Sequence, residues 1–245
     1  MEAFFKMNYL FLDIETVIDD DLLQKAGSEK NKSQYNNNEF VSQNVFHIPI
    51  CFSVLGNVGT EDFYFKTFIS REAPLTVDKF FSGFYLSIKQ SKSKKSQYPV
   101  IVTHNGQSFD MPILTLRAIK YYDTLSENAK NGLKEYLDTS DKWENDRPDY
   151  TSRNTLYHID TYLLTNSYSS LKALCMLNEI DSKTQMDGKQ VAKYFKDNKL
   201  EEIALYCAED VLSLAKLFNK INIARGNNSL VLPENFNQCE VNVLA

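Results

Sequence analysis

The chain has 245 residues, 43% of them hydrophobic, and a formal net charge of −5 at neutral pH. That length suits one or two domains with a full core, and no run approaches the roughly 18 apolar residues of a membrane-spanning helix. An acidic balance argues against binding nucleic acid by global attraction to phosphate. Cys51, Cys175, Cys207 and Cys239 lie far apart with no C-x-x-C pair, which argues against a zinc site and for small core residues in a reducing cytoplasm. The start "MEAFFKM" lacks the pattern of a signal peptide.

Taken in chain order, the first expected element is a strand over residues 8–14, where Tyr9, Leu10, Phe11, Leu12 and Ile14 form a short apolar run. Side chains alternate across a strand, so Asp13 and Glu15 in "FLDIET" share a face. A carboxylate pair at the end of a buried strand is costly unless a cation cancels its charge; taken alone, the pair also reads as an Asp closing a strand and a Glu opening a turn. Residues 24–38 are polar and asparagine-rich and read as a loop. Strands are expected over 49–55 and 61–69, then a helix over 76–90. "KQSKSKK", with Lys89, Lys92, Lys94 and Lys95, reads as a solvated linker to the next strand, at 99–104.

"HNGQSFD" then turns the chain into a helix over 110–122, with Pro112 suited to its first turn. Asp110 falls at or beside the N-cap, a place that Asp favours for capping alone, but also one just past a strand end, where α/β sheets build sites. Arg117 and Lys120 follow on that helix as candidate contacts to a nucleic-acid strand. After a helix over 126–138 comes a second polar insertion, residues 139–155, with Trp143, Arg147 and Arg153. A strand over 156–160 ends at Asp160, read as capping a turn, and His47, His104 and His158 are expected to be structural. Helices are expected over 168–178, 187–197 and 200–223. In the last, apolar residues recur at helical spacing, and Tyr206 and Asp210, four apart, share a face at the margin of the packed stripe. Glu209 points about 100° away and is not expected as a ligand. The tail after Gly226 has no periodic pattern. Strands that cluster early and later alternate with helices give an α/β fold, a mixed sheet flanked by helices.

No block is specific alone, but the order D-x-E, N-x3-F-D, Y-x3-D is. The three blocks resemble the Exo I, II and III motifs of the DEDD superfamily of 3′→5′ exonucleases. Tyr four residues before the last Asp resembles the tyrosine subgroup (DEDDy), which includes the proofreading domains of family-B DNA polymerases. "YHIDTYLL", "SLKALC", "DGKQVAKYF" and "LEEIALYCAEDV" resemble a smaller family of stand-alone predicted exonucleases similar to that polymerase domain. The resemblance runs from about Asn8 to Arg225, and nothing in the chain resembles a polymerase palm or fingers.

The resemblance implies a ribonuclease-H-like fold with a five-stranded sheet, an exonuclease domain over 1–225, and a tail over 226–245 that is not a separate domain. It implies two divalent ions, Mg²⁺ or Mn²⁺, held by Asp13, Glu15, Asp110 and Asp210, which would bring the net charge to −1. Asp13 would bridge the ions, Glu15 and Asp210 would hold the one that activates water, and Asp110 would support the other. Tyr206 would orient the attacking water, since an ordinary phenol, with a pKa near 10, is a poor base. Thr16, Asn105 and Phe109 are candidate substrate contacts: Thr16 through its backbone, Asn105 and Phe109 as matches to the second motif. The implied reaction releases nucleoside 5′-monophosphates from the 3′ end of single-stranded DNA. Weak global attraction suggests modest affinity or a protein partner that delivers the substrate. An RNA 3′→5′ exonuclease would use the same five residues, and a non-catalytic nucleic-acid-binding module would keep the fold without the chemistry.

Overall fold

A computed structural model describes residues 8–26, 43–58, 62–93, 98–138, 148–152, 155–181, 186 and 188–245. Its centre is one mixed sheet. Strands β1 (Tyr9–Ile18), β2 (His47–Gly56) and β3 (Tyr64–Ser70) form an antiparallel meander. β4 (Val100–Thr103) adds parallel to β1, and β5 (His158–Asp160) parallel to β4. A sixth strand, β6 (Glu240–Leu244), lies parallel to β3, so the order is β5-β4-β1-β2-β3-β6.

The fold class is the expected mixed sheet flanked by helices, but among the described residues the sheet has six strands and not five. The sixth comes from the segment after Gly226. It was illegible because an edge strand is half solvated and its pairing partner, β3, lies some 170 residues upstream, as in the Thr67–Cys239 contact (|i−j| of 172). The helices are α1 (Asp20–Lys25), α2 (Ala73–Ser93), α3 (Asp110–Lys120), α4 (Glu127–Leu137), α5 (Thr161–Leu164), α6 (Leu171–Leu177), α7 (Val191–Lys196) and α8 (Leu200–Ala224). Among the described residues, no helix is long and apolar enough to cross a membrane.

Alternation along β1 divides the core. Leu10, Leu12 and Ile14 pack with Phe80, Phe81 and Phe84 of α2, Met111, Ile113 and Leu114 of α3, and Ala129 and Leu133 of α4. Tyr9 and Phe11 face the other way, onto Val211, Leu214, Ala215 and Phe218 of α8. The Phe218 ring meets Tyr9 and Phe11 edge-on at 5.1 and 5.5 Å. Gly132 marks the crossing of α4 on α2, where any Cβ would run into the Phe81 carbonyl. The odd-numbered face of β1 is thus committed to α8, and that face continues into Asp13 and Glu15.

One expectation about the polar segments changes, and another lies outside the described residues. The 24–38 loop lies almost wholly outside the described residues, as do Lys94, Lys95, Trp143, Arg147 and Arg153. The described part of the 139–155 insertion is not simply polar: Tyr150 is 2% exposed in the first core, and its hydroxyl donates to the Pro99 carbonyl at 2.8 Å.

Candidate active site

β1 runs four residues beyond its expected end, but its parallel neighbour does not follow. β4 pairs only with Tyr9, Leu10 and Phe11 and stops at Thr103. Past that point the flank of β1 is open, and the backbone there needs another partner. Asp110 supplies one: its Oδ1 accepts the Ile14 N–H at 3.2 Å. Asp110 is the first residue of α3, and the N-cap position belongs to Phe109, which makes no side-chain capping bond. The Asp110 carboxylate is therefore turned back onto β1 beside Asp13 and Glu15 instead of capping its own helix.

α8 closes the group from the other side. Cys207, fully buried, donates its thiol toward the Asp13 carbonyl at 3.4 Å and the Asp13 Oδ2 at 3.7 Å. Ligand atoms of Asp13, Glu15 and Cys207 all lie within 4.8 Å of one another. Tyr206 and Asp210, one turn apart on α8, share a hydrogen bond in which the phenol donates. Cys207 reads from the sequence only as a core residue: it adjoins Tyr206 along the chain, but its contact with Asp13, 194 residues away, exists only in the fold.

Electrostatics record how close the four carboxylates are. Burial, then the charges of Asp110, Asp210 and Glu15, push the Asp13 carboxyl well above the ordinary range. Burial, then Asp210 and Asp110, do the same to Glu15, which is 8% exposed. Asp110 is pushed up to about 7, chiefly by burial; its own and the Ile14 N–H oppose the rise, and the Asp160 charge adds to it. Asp210 is pushed up to about 6, again chiefly by burial and against the pull of the Tyr206 hydrogen bond and of Lys172. Tyr206 is held above the ordinary phenol range by burial and by Asp210, Glu15 and Asp13, so it keeps its proton at neutral pH. A set of hard oxygen donors this crowded fits divalent cations that prefer carboxylate.

The candidate substrate contacts border this group. Thr16 follows Glu15 at the point where the β1–β2 register shifts, and its Oγ1 bonds His47 Nδ1 at 2.8 Å. The His47 ring meets Phe109 edge-on at 5.0 Å, and Phe109, partly buried, packs on the first core. Asn105 adopts a left-handed φ of 65° at the turn before α3. Its N–H donates to Asp160 Oδ1 at 2.7 Å, the Gln107 N–H donates to Asp160 Oδ2 at 3.0 Å, and the Tyr162 N–H also reaches Oδ1 at 3.0 Å. Asp160 caps α5 as expected, and it also clamps the turn that delivers Asp110. One expectation fails. Arg117 is 3% exposed and points inward, donating to the His47 carbonyl at 2.7 Å, the Val45 carbonyl at 3.1 Å and Asp19 Oδ2 at 2.7 Å, so it cannot meet a nucleic-acid strand. A spacing of seven from Asp110 puts Arg117 two turns along α3, on the buried side that meets the start of β2 and the turn before it.

Comparison with known proteins adds the family. A family model described as "Predicted 3'-5' exonuclease related to the exonuclease domain of PolB" matches residues 38–243, more than half of the chain. The match begins after Asp13 and Glu15, which the fold, not the matched range, brings to the cluster. Among solved structures, the family B DNA polymerase from the hyperthermophilic archaeon Pyrobaculum calidifontis superposes with a TM-score of 0.53 at 15% identity, over 89% of this chain and 25% of the polymerase. This chain thus spans a quarter of that protein, and the likeness is one of fold. A product-bound exonuclease I (TM-score 0.40, 12% identity, 90% of this chain and 48% of that one) is more distant, and similarity at that level carries no argument. No curated protein matches the chain.

Proposed function

Since the chain belongs to the family of predicted 3′→5′ exonucleases related to the exonuclease domain of PolB, we propose that it hydrolyses single-stranded DNA from the 3′ end with Asp13, Glu15, Asp110, Tyr206 and Asp210. The observation that carries this reading is the convergence of four carboxylates from β1, α3 and α8, each pushed above its ordinary pKa. Such crowding is unfavourable in the empty protein and is relieved by cations. Asp13, Glu15, Asp110 and Asp210 would hold two of them, Mg²⁺ or Mn²⁺. When bound, these ions supply the positive charge that favours both the attacking water and the leaving 3′-oxygen of an in-line displacement.

The remaining work belongs to the chain. Tyr206 keeps its proton and lies beside Asp210, so it orients the water and does not deprotonate it. Asp110 fixes the α3 end to β1 through the Ile14 N–H and so holds the two halves of the site in register. Thr16, with Asn105 and Phe109, lines the approach of the terminal nucleotide. The water oxygen bonds to phosphorus, the bond from phosphorus to the 3′-oxygen breaks, and the products are a nucleoside 5′-monophosphate and a strand with a new 3′-hydroxyl. Residues 1–225 carry this chemistry, and 226–245 extend the sheet edge without forming a separate domain. Free, buried thiols at Cys51, Cys175 and Cys207 fit a reducing, cytoplasmic setting, and an acidic chain fits a protein partner that delivers the substrate.

The test uses purified protein with Mg²⁺ or Mn²⁺ and end-labelled single-stranded DNA, duplex DNA and RNA side by side. Mononucleotides should leave single-stranded DNA from a free 3′-hydroxyl, and excess EDTA should stop the reaction. Faster loss of RNA would move the substrate assignment, cuts within circular single-stranded DNA would replace exonuclease with endonuclease, and full activity in EDTA would remove the metal ligands from the mechanism.

A further inference from the structure

Two helices of the site hold the same peptide group of β1. Its N–H, on Ile14, donates to Asp110 Oδ1 of α3 at 3.2 Å. Its carbonyl, on Asp13, accepts the Cys207 thiol of α8 at 3.4 Å, and the same sulfur lies 3.7 Å from Asp13 Oδ2. Along the chain, Cys207 stands between Tyr206 and Asp210. A bond to the backbone thus falls where α8 must be in register with β1 for Tyr206 and Asp210 to meet Asp13 and Glu15.

Much of the surrounding contact between α8 and the sheet is apolar. Val211, Leu214, Ala215 and Phe218 pack with Tyr9 and Phe11, while Ile203 and Ala204 pack with Ile50 and Ile69. Apolar burial holds a helix down but has no direction. The thiol supplies direction. It is fully buried, as is Cys51, which lies opposite Glu15 in the β1–β2 register and hydrogen-bonds with Cys207. An S–H is a weak donor. It can steer the Asp13 carboxylate through Oδ2 without competing strongly with a cation for that oxygen.

Resting on the exonuclease reading above, we propose that Cys207 is a positioning residue: through the Asp13 carbonyl it sets α8 against β1, and through Oδ2 it orients the Asp13 carboxylate for divalent cations. Removing a partner that orients a metal-binding side chain costs roughly 10–100-fold in metal affinity. A weak donor belongs at the low end of that range. Cys207 is to α8 what Asp110 is to α3, with one difference: Asp110 also offers its own carboxylate to the cluster, whereas Cys207 acts through Asp13.

The experiment measures Mn²⁺ binding to the full chain without nucleic acid, by the electron paramagnetic resonance signal of free Mn²⁺, beside melting in chelator. Cys207→Ala should bind Mn²⁺ about tenfold more weakly than wild type. Cys207→Val, which fills the space but has no donor, should weaken it as much, and Cys207→Ser, which keeps a donor, should recover most of the affinity. Leu214→Ala opens the apolar part of the same helix contact; it should lower the melting temperature and leave Mn²⁺ affinity unchanged. Nucleotide release by Cys207→Ala should be slow at limiting Mn²⁺ and recover as the metal is raised. Wild-type affinity in the alanine or the valine protein would overturn the proposal and leave nucleotide release, and with it the exonuclease reading, untouched. So would a serine protein as weak as the alanine one, since the donor would then not be the cause. An equal loss of affinity in Leu214→Ala would also overturn it, because general loosening of α8 would explain the effect. Failure of wild type to bind Mn²⁺ would end both readings.

Discussion

Two buried acidic sites at the two ends of one stretch of chain treat negative charge in opposite ways. At Asp19, just past the end of β1, the charge is matched. Oδ2 accepts from Arg117 Nη1 at 2.7 Å and lies 3.6 Å from Lys120 Nζ, while Oδ1 caps α1 through the Leu22 N–H at 3.0 Å. Burial pushes that carboxyl up, but the Arg117 and Leu22 bonds and the two positive charges outweigh it and hold the group below its ordinary range. At Asp13 and Glu15, among the described residues, the acting charges are negative ones, and both carboxyls are pushed up. The first arrangement is complete within the described residues and serves the fold. The second has no matching positive charge among the described residues, which is the pattern that suits an acid to a ligand rather than to the fold alone.

The sharpest way to break the contrast is to remove one acid from the unmatched cluster. Asp13→Ala and Asp210→Ala should each lower nucleotide release at least about 10³-fold, the loss expected when a group that stabilises transition-state charge is removed. The metal-free variants should melt no lower than wild type, because like-charge repulsion is relieved. If Asp13→Ala keeps more than a tenth of the wild-type rate at saturating metal, its role as a ligand is wrong.

The matched site should behave in the reverse manner. Arg117→Ala strands Asp19 in a buried position and should cost about 3 kcal/mol of stability, the low end for breaking a buried pair because Lys120 remains close. Denaturant unfolding would measure it. A loss below about 0.5 kcal/mol would place the pair with ordinary surface bridges.

Tyr206 tests whether the cluster's neighbours act on water or on metal. Tyr206→Phe keeps the packing ring and removes one hydroxyl; single-turnover rates should fall roughly 10²-fold, the low end for a group that positions a proton-bearing reactant. Titration with Mg²⁺ should show unchanged affinity. Recovery of the rate at higher metal would instead make Tyr206 part of the metal site.

The smallest effect is the pH dependence of the metal-free protein, and its sign separates the two sites. Raised carboxyls add stability that is fully present below their unfolded pKa near 4 and is lost as pH rises through their folded values, about 6 for Asp210 and about 7 for Asp110. Stability in chelator, followed as melting temperature, should therefore fall from about pH 4 to about pH 7, by no more than about 1.4 kcal/mol per group per pH unit. Asp19, being lowered, contributes stability above its unfolded pKa and loses it in acid. Melts in chelator, repeated with Mn²⁺, provide the measurement. The slope should flatten when metal is added and shrink in Asp210→Asn; a slope rising with pH would mean the cluster is already neutralised within the chain.

Local patterns carried much of this protein. The period of two in β1 put Asp13 and Glu15 on one face, the four-residue step put Tyr206 beside Asp210, and Pro112 marked the start of α3, because strand and helix geometry act between near neighbours. Three features depended on chain segments meeting across the fold. Whether Asp110 capped its helix or faced the cluster turned on β4 ending at Thr103, which left the Ile14 N–H to be satisfied. Whether Arg117 met solvent turned on the carbonyls of Val45 and His47 lying over α3. Whether the tail formed a strand turned on β3 offering an unpaired edge. In each case a backbone group is among the deciding partners, beside Asp19 for Arg117, and every residue type carries the same backbone groups. A sequence therefore marks which side chains need partners, and only the tertiary structure says which main chain arrives to meet them.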